Sequence, residues 1–501
     1  MSERRPEDPD LRGRVVRGVS WMLASQGASQ LAALTTSIVI AHLLSPHEVG
    51  LAAEAIVFGT LALVVTDFGI GSVIVQRHHL SAVDTSTAFW ASIGLGALLT
   101  AAGIGLSWPI ASLYGQPEVQ PLFATLSLTF VLTAPGVVQG ALLSRELQFR
   151  ALEIRGIVAT TTACATAIVF AVLGFGPWAI IIQSLTVASV STALLWRSSS
   201  WRPQPVFSAA SLREFRAFAT HVFGARALSW AVLNADNLLV GRFLGAAALG
   251  AYSMAWSVAL APLNRIALPI GQVFFPAFSR IEDRRRIGTA WLRGLRMVAL
   301  IVVPIALGAV ITGPDLILVL FGRRWHAAAP VLQLLGLVGL MQALTALNGG
   351  ILQGIGQGRS LFRCTLMISG ASVGAFAAGI PWGITGVALV YLLVSAVVQP
   401  IFTVVAARAV GASLSEVVRS VSGVLQAGTG MLLIVLAERM LMVGHVAPAL
   451  RLLVFIVSGA VSYLALVAWR APEVRSELEE LWRRRTGAPP LRTPVLAGGE
   501  S

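Results

Sequence analysis

Two arginines stand inside apolar runs, where a permanent cation is costly to hold. Arg226 lies about ten residues into the run 216–241, which at about 1.5 Å per residue places it near mid-depth. Arg265 follows Asn264 in the run 247–277, between Pro262 and Pro269, which loosen a helix and free carbonyls toward a cavity. A guanidinium presents a planar fork of donors that grips a phosphate at two points. Arg226, Arg265 and Asn264 are therefore the candidate binding residues for an anionic, phosphate-bearing group. Plainer accounts stand beside this one: Arg226 as half of an ion pair with a neighbouring helix, and Arg265 reaching out to the membrane surface.

Acids are rarer still inside apolar runs. Asp236, flanked by Asn234 and Asn237, closes one run, where it would pair with Arg242 or bind a coupling proton or cation. Glu54 is the other candidate, a coupling acid or a residue at the membrane interface. The amides Gln26, Gln30, Gln139, Gln183, Asn348 and Gln353 could line a polar path, although amides also hold helices together. No group is arranged for catalysis. The seven histidines show no metal-ligand spacing, and no glycine-rich phosphate loop is present. Cys164 and Cys364 both fall in apolar runs, where a thiol behaves as a small hydrophobe and forms neither a disulfide framework nor a metal site.

The elements that must position these residues are membrane spans. Of 501 residues, 56% are hydrophobic and 12% charged, against roughly 25% charged in soluble domains. The mean hydropathy is +0.79. Apolar runs fall near 15–42, 49–74, 84–111, 119–144, 152–174, 177–197, 216–241, 247–277, 290–313, 328–353, 361–380, 383–407, 417–440 and 446–469. That predicts an all-α, polytopic membrane protein of about fourteen spans. The first apolar stretch lacks a small-residue cleavage site and reads as a retained helix rather than a signal peptide.

All 36 basic residues are arginines, and the formal charge is +13. They form no aromatic-interleaved basic face, which argues against nucleic acid. Instead they collect on alternate hops between spans, while the opposite hops hold only Arg242, Arg323, Arg324, Arg439 and Arg451. Positive charge gathers on cytoplasmic loops, so both termini are expected in the cytoplasm. The run Arg284 to Arg286 belongs to that signal.

Six spans, 15–197, precede a cytoplasmic linker at 198–215, where Ser211 and Glu214 have capping-box spacing. A second set of six, 216–407, follows, then two further spans at 417–469. Residues 1–14 form a cytoplasmic tail, and 470–501 a second one that opens with a short amphipathic helix. The halves echo one another. His42 to Gly50 (HLLSPHEVG) matches Arg242 to Gly250 (RFLGAAALG), and GPWA at 176–179 matches IPWG at 380–383. An even number of spans per repeat gives both the same orientation, so two six-helix lobes related by a pseudo-twofold axis along the membrane normal are expected.

Several strings carry a family resemblance: AHLLSPHEVG from Ala41, DFG from Asp67, ALLSRELQFR from Ala141, GFGPWA from Gly174, DNLLVGRFLG from Asp236, FPAFSR from Phe275 and FGRRW from Phe321. In order and spacing they resemble the Wzx-type polysaccharide or oligosaccharide flippases, in particular the colanic-acid-exporter-like branch. These belong to the multidrug, oligosaccharidyl-lipid and polysaccharide exporter superfamily. The likeness spans roughly residues 14 to 410.

The resemblance implies two lobes in a V around a central cavity. It implies a polyprenyl-diphosphate-linked oligosaccharide turned from the cytoplasmic to the outer leaflet of the inner membrane, for exopolysaccharide, capsule or O-antigen (lipopolysaccharide) assembly. Implied partners are the lipid-linked glycan, membrane lipids, and a glycan polymerase with its export machinery. No cofactor is expected, an ion gradient or membrane potential driving transport. The first lobe lacks the mid-span arginine of related peptidoglycan-precursor flippases, which argues against that substrate. Two other readings remain: a cation-coupled drug exporter of the same superfamily, with Glu54 as its coupling acid, and a membrane glycosyltransferase or glycan polymerase. Short, arginine-rich loops without paired carboxylates count against the enzyme.

Overall fold

The computed structural model describes residues 32–67, 70–76, 80–146, 148–213, 230–261, 267, 270–271 and 283–470. Among them no strand occurs. The helices are α1 (Ala32–Leu43), α2 (Pro46–Asp67), α3 (Ile70–Gln76), α4 (Ala82–Tyr114), α5 (Val119–Leu126), α6 (Leu128–Thr133), α7 (Val137–Arg145), α8 (Phe149–Val172) and α9 (Trp178–Ser198). Then follow α10 (Ala235–Leu244), α11 (Ala246–Ala259), α12 (Arg284–Leu320), α13 (Ala328–Gly354), α14 (Gly358–Gly379), α15 (Gly383–Ala409), α16 (Leu414–Met442) and α17 (Pro448–Arg470). Nine helical stretches among the described residues are long and apolar enough to cross a membrane. One of these, Gly358–Ala409, is broken by the 3-10 turn Ile380–Trp382. The chain is a multi-pass, all-helical membrane protein. Its fourteenfold count rests partly on residues outside those described, as does the amphipathic helix expected after Pro472.

Helix α4 shows why such a sequence folds this way. Its buried positions include Thr85, Ser92, Gly96, Thr100, Gly103, Ser107 and Ala111, a small-residue stripe at three- and four-residue spacing. Its large apolar side chains Leu98, Leu106 and Trp108 point outward instead, 54–67% exposed. A soluble helix does the reverse. Lipid solvates the outer face, and small residues let backbones approach: a Cβ on Gly96 would lie 2.8 Å from the carbonyl oxygen of Phe130. Ser81 and Asp84 form a capping box at one end, and left-handed Gly115 ends the other.

Proline inside a span leaves the carbonyl four residues earlier without its donor. Helix α12 contains Pro304 and Pro314, and both orphaned carbonyls are taken up by neighbouring side chains. Tyr463 donates its hydroxyl to the Leu300 carbonyl at 2.8 Å, and Gln333 donates its side-chain amide to that of Val310 at 2.6 Å. The two proline positions are thus tied to α17 and α13. The expected run 119–144 is one stretch of membrane-crossing length, Val119–Arg145, and Pro135 accounts for the 3-10 turn Ala134–Gly136 that interrupts it between α6 and α7.

The chain divides into two compact units. The first is Met1–Met254 with Leu320–Ala327 and Phe376–Val387; the second is Ala255–Val319, Ala328–Ala375 and Ala388–Ser501. In the first, Trp325 is fully buried and donates its indole N–H to the Ala41 carbonyl at 2.8 Å. Short segments far along the sequence therefore pack with the early helices.

The described part of the segment expected to link two lobes, 198–213, is docked on the start of α4. Trp90 donates to the Gln204 carbonyl at 2.9 Å, Gln204 N to Ser86 Oγ at 3.1 Å, and Ser208 N to Thr87 Oγ1 at 3.0 Å. The expected cap at Ser211 falls elsewhere. Ser208 accepts from Ser211 N and heads the short helix at 209–213, while Ser211 donates to Asp84 at 2.7 Å; Glu214 lies outside the described residues.

Candidate functional site

Positions 51, 54, 55 and 58 share one face of α2. On that face Glu54 is fully buried, and neither of its carboxylate oxygens has a hydrogen-bond partner among the described residues. Its electrostatic neighbour is Tyr114, at the end of α4, whose hydroxyl is likewise buried without a partner among the described residues. Phe58 closes the surroundings, edge-on to Tyr114 and Phe123 at 6.1 and 6.2 Å between ring centres. Trp230 anchors to the same helix, its indole donating to Thr60 Oγ1 at 2.9 Å. Burying a charge without a partner is costly, so a carboxyl with no partner among the described residues can take up a proton or a cation there.

Helix α10 packs against this pocket: a Cβ on Gly241 would lie 2.7 Å from Tyr114 Cε1. Asp236, on the same helix, is 1% exposed and already satisfied. Its Oδ1 accepts from Asn237 N at 2.8 Å and its Oδ2 from the Tyr252 hydroxyl at 3.3 Å. The expected partner Arg242 instead lies over the Phe243 ring, 5.7 Å from its centre. Six helical residues carry a side chain about 240° round the axis, so Asp236 and Arg242 leave the helix on different faces. Asn234 donates to the Trp230 carbonyl at 3.0 Å, one turn back.

In the second unit, Asn348 belongs to a polar track between α13 and α15. Gln342 donates to the Tyr391 hydroxyl at 2.6 Å, Thr345 to Gln399 Oε1 at 2.8 Å, and Asn348 to Thr403 Oγ1 at 3.2 Å. Asn348 is fully buried, and its Oδ1 has no partner among the described residues. Tyr391 stacks on Trp256, 6.1 Å between ring centres. A cavity of about 280 Å³ runs along the track, bordered by Thr345, Gln399 and Thr403 and walled by Leu295, Met341, Val417 and Val421. Thr345, Gln399 and Thr403 put a narrow polar edge, bonded within the track, on an otherwise apolar cavity. Of its members, sequence reasoning singled out only Asn348. The three-residue spacing of positions 342, 345 and 348 was the available signal.

Gln139 is fully buried with both amide atoms lacking a partner among the described residues, Gln183 lies 3.8 Å from the Cys164 sulfur, and Gln353 is exposed. Cys164 and Cys364 are buried free thiols. No cluster able to hold a metal occurs among the described residues. Arg226, Arg265, Asn264, Gln26 and Gln30 lie outside the described residues.

Residues 39–330 match the family described as "Polysaccharide biosynthesis protein". The chain is 29% identical to "Lipopolysaccharide biosynthesis protein WzxC" of Escherichia coli (strain K12), over 77% of this chain and 79% of that one. It is 28% identical to "Succinoglycan biosynthesis transport protein ExoT" of Rhizobium meliloti (strain 1021), over 76% and 77%. With "Teichuronic acid biosynthesis protein TuaB" of Bacillus subtilis (strain 168) the identity is 25%, over 94% and 98%. Among solved structures, "Lipid II flippase MurJ, inward closed conformation" is similar with a TM-score of 0.71 at 13% identity, covering 93% of this chain and 99% of that one, a likeness of fold.

Proposed function

Because the chain belongs to the polysaccharide biosynthesis protein family, we propose that it is a flippase carrying a polyprenyl-diphosphate-linked oligosaccharide from the cytoplasmic to the outer leaflet of the inner membrane. The family match over residues 39–330 carries this reading. The relatives' names, in lipopolysaccharide, succinoglycan and teichuronic acid biosynthesis, favour a glycan cargo and transport over catalysis. The polar track along α13 and α15 supports it physically, because a sugar leaving water needs hydrogen-bonding groups in place of its hydration shell.

In this reading the two sequence repeats, 15–197 and 216–407, act as halves that open alternately to either side. Arg226, Arg265 and Asn264 receive the diphosphate, and the prenyl tail stays in lipid. Both termini lie in the cytoplasm, consistent with the arginine bias. Glu54 takes up a coupling proton or cation, for which its lack of a partner among the described residues is the support. A glycan polymerase and export machinery receive the product. Cation-coupled drug export is the second reading, favoured by that same buried acid.

Deleting the gene tests the reading. Surface polysaccharide should disappear, lipid-linked glycan should accumulate on the cytoplasmic leaflet, and reintroducing the chain should restore export. Reporter fusions at both termini and at the 198–215 linker should report the cytoplasm. Normal surface glycan together with new drug sensitivity would replace this reading with the second.

A further inference from the structure

The two sequence repeats meet at a point that only glycine permits. Gly50 and Gly250, which occupy the same place in the echoed strings, are both buried in helices, and neither has the left-handed backbone of Gly115 or Gly245. Conformational freedom is therefore not what requires them. Space is: a Cβ on Gly50 would collide with the carbonyl oxygen, carbonyl carbon and Cα of Ala246, and one on Gly250 with the carbonyl of Pro46. The same added atom on Gly250 would stand 3.0 Å from Gly50 N. Each contact is the other displaced by the repeat offset, position 50 on 246 and 250 on 46, as across a twofold axis. Helices α2 and α11 thus cross backbone to backbone at their first turns.

The crossing is sealed. Leu51, Ala55, Ala246, Leu249, Ala251 and Tyr252 around it are at most 3% exposed. A third segment latches it, since the 3-10 turn Arg323–Trp325 delivers Trp325 to the Ala41 carbonyl, a few residues before Pro46. The connections concerned, between α1 and α2, between α10 and α11, and around 321–327, all belong to the arginine-poor side of the chain, which the transport reading assigns to the outer face.

We propose that the reciprocal crossing of Gly50 and Gly250 closes the outer end of the transport path, and that these two glycines and Trp325 are positioning residues without which the repeats cannot meet. This rests on the flippase reading and its orientation. A lipid-linked glycan carried through the bilayer requires one end to be shut while the other is open. Alanine would suit either helix better than glycine, so the missing methyl at both places is explained by the close approach itself.

The test uses the full-length protein with Cys164→Ala and Cys364→Ala, a reporter Leu51→Cys beside the crossing, and a membrane-impermeant thiol reagent added from outside to intact cells. With both glycines present the reporter should be protected. In Gly50→Ala or Gly250→Ala it should be labelled about tenfold faster, as when an open population rises from about 1% to about 10%, while export falls. Trp325→Phe, which leaves the crossing sterically intact but removes the latch, should give a smaller rise in labelling. If the glycine variants fail to accumulate, Trp325→Phe alone decides: protection equal to the parent's overturns the proposal. Full export by a protected Gly50→Ala protein, or rapid labelling of the parent, overturns it as well. Labelling only by reagent admitted to the cytoplasm would place the crossing on the other side and refute it. Expected labelling without any dependence of surface glycan on the gene would instead sink the flippase reading and leave the closure standing.

Discussion

Thr345 donates its hydroxyl to the side-chain carbonyl of Gln399 at 2.8 Å, with 8% and 7% of the two residues exposed. A hydrogen bond buried this deeply is costly to halve. Thr345→Val leaves the Gln399 amide without its partner, which should cost about 1–3 kcal/mol. Thr345→Val with Gln399→Leu removes both polar groups and should regain most of that loss in detergent thermal melts. Export should stay low in the stable double variant, because the polar edge facing the cavity is gone. A stable double variant exporting normally would show that the track only holds helices together.

Glu54 predicts the opposite pattern. No hydrogen bond among the described residues is lost when its carboxylate goes. Glu54→Gln and Glu54→Leu should leave stability unchanged or raise it, by up to about 3 kcal/mol, since a buried carboxyl with no hydrogen-bond partner among the described residues is removed. Export should nevertheless fail, and the loss should persist whatever gradient is imposed. Uptake of lipid-linked glycan by proteoliposomes under imposed proton or sodium gradients separates the two cations. Gradient-dependent transport by Glu54→Gln, equal to the parent's, would remove Glu54 from the coupling role.

Much of this was legible in the sequence, for reasons that are physical. Apolar runs of span length have no other stable fate, and an acid such as Glu54 in one of them is conspicuous. The echoed strings ending at Gly50 and Gly250 set these two positions in correspondence, although nothing in them says that the two glycines pack against one another's helices. Hydroxyls gave no warning. Thr312 and Ser92 each bond to a carbonyl four residues back in their own helix, which is what a hydroxyl in an apolar helix ordinarily does. Thr345 also lies within reach of the Met341 carbonyl, at 3.2 Å, so only the opposing helix reveals its bond to Gln399. The pairing of Asp236 with Arg242 failed because proximity along a helix is not proximity around it.

Arg226 and Arg265 carry the phosphate part of the proposal. Arg226→Ala should abolish surface glycan while the protein still inserts, because an uncompensated phosphate at mid-depth costs several kcal/mol and about 1.4 kcal/mol is tenfold. Lysine should rescue in part, restoring charge without the two-pronged geometry. A purely structural arginine predicts loss of the protein itself, reversed when its acidic partner is also removed. Surface polysaccharide and membrane protein level, measured together, distinguish these results.

Tyr463 and Pro304 should behave as a coupled pair although they lie on different helices. Pro304 deprives the Leu300 carbonyl of its intrahelical donor, and the Tyr463 hydroxyl replaces it. Tyr463→Phe therefore leaves a carbonyl unsatisfied in an apolar interior, a loss of about 1 kcal/mol or somewhat more. Pro304→Ala restores an amide that can bond Leu300 O itself, so the tyrosine becomes redundant. Adding Tyr463→Phe to Pro304→Ala should then cost little, and the cycle of four proteins should show clear non-additivity in unfolding midpoints. Additive losses would mean that Tyr463 contributes through packing against α12, and that the Leu300 carbonyl is satisfied in some other way when the hydroxyl is absent.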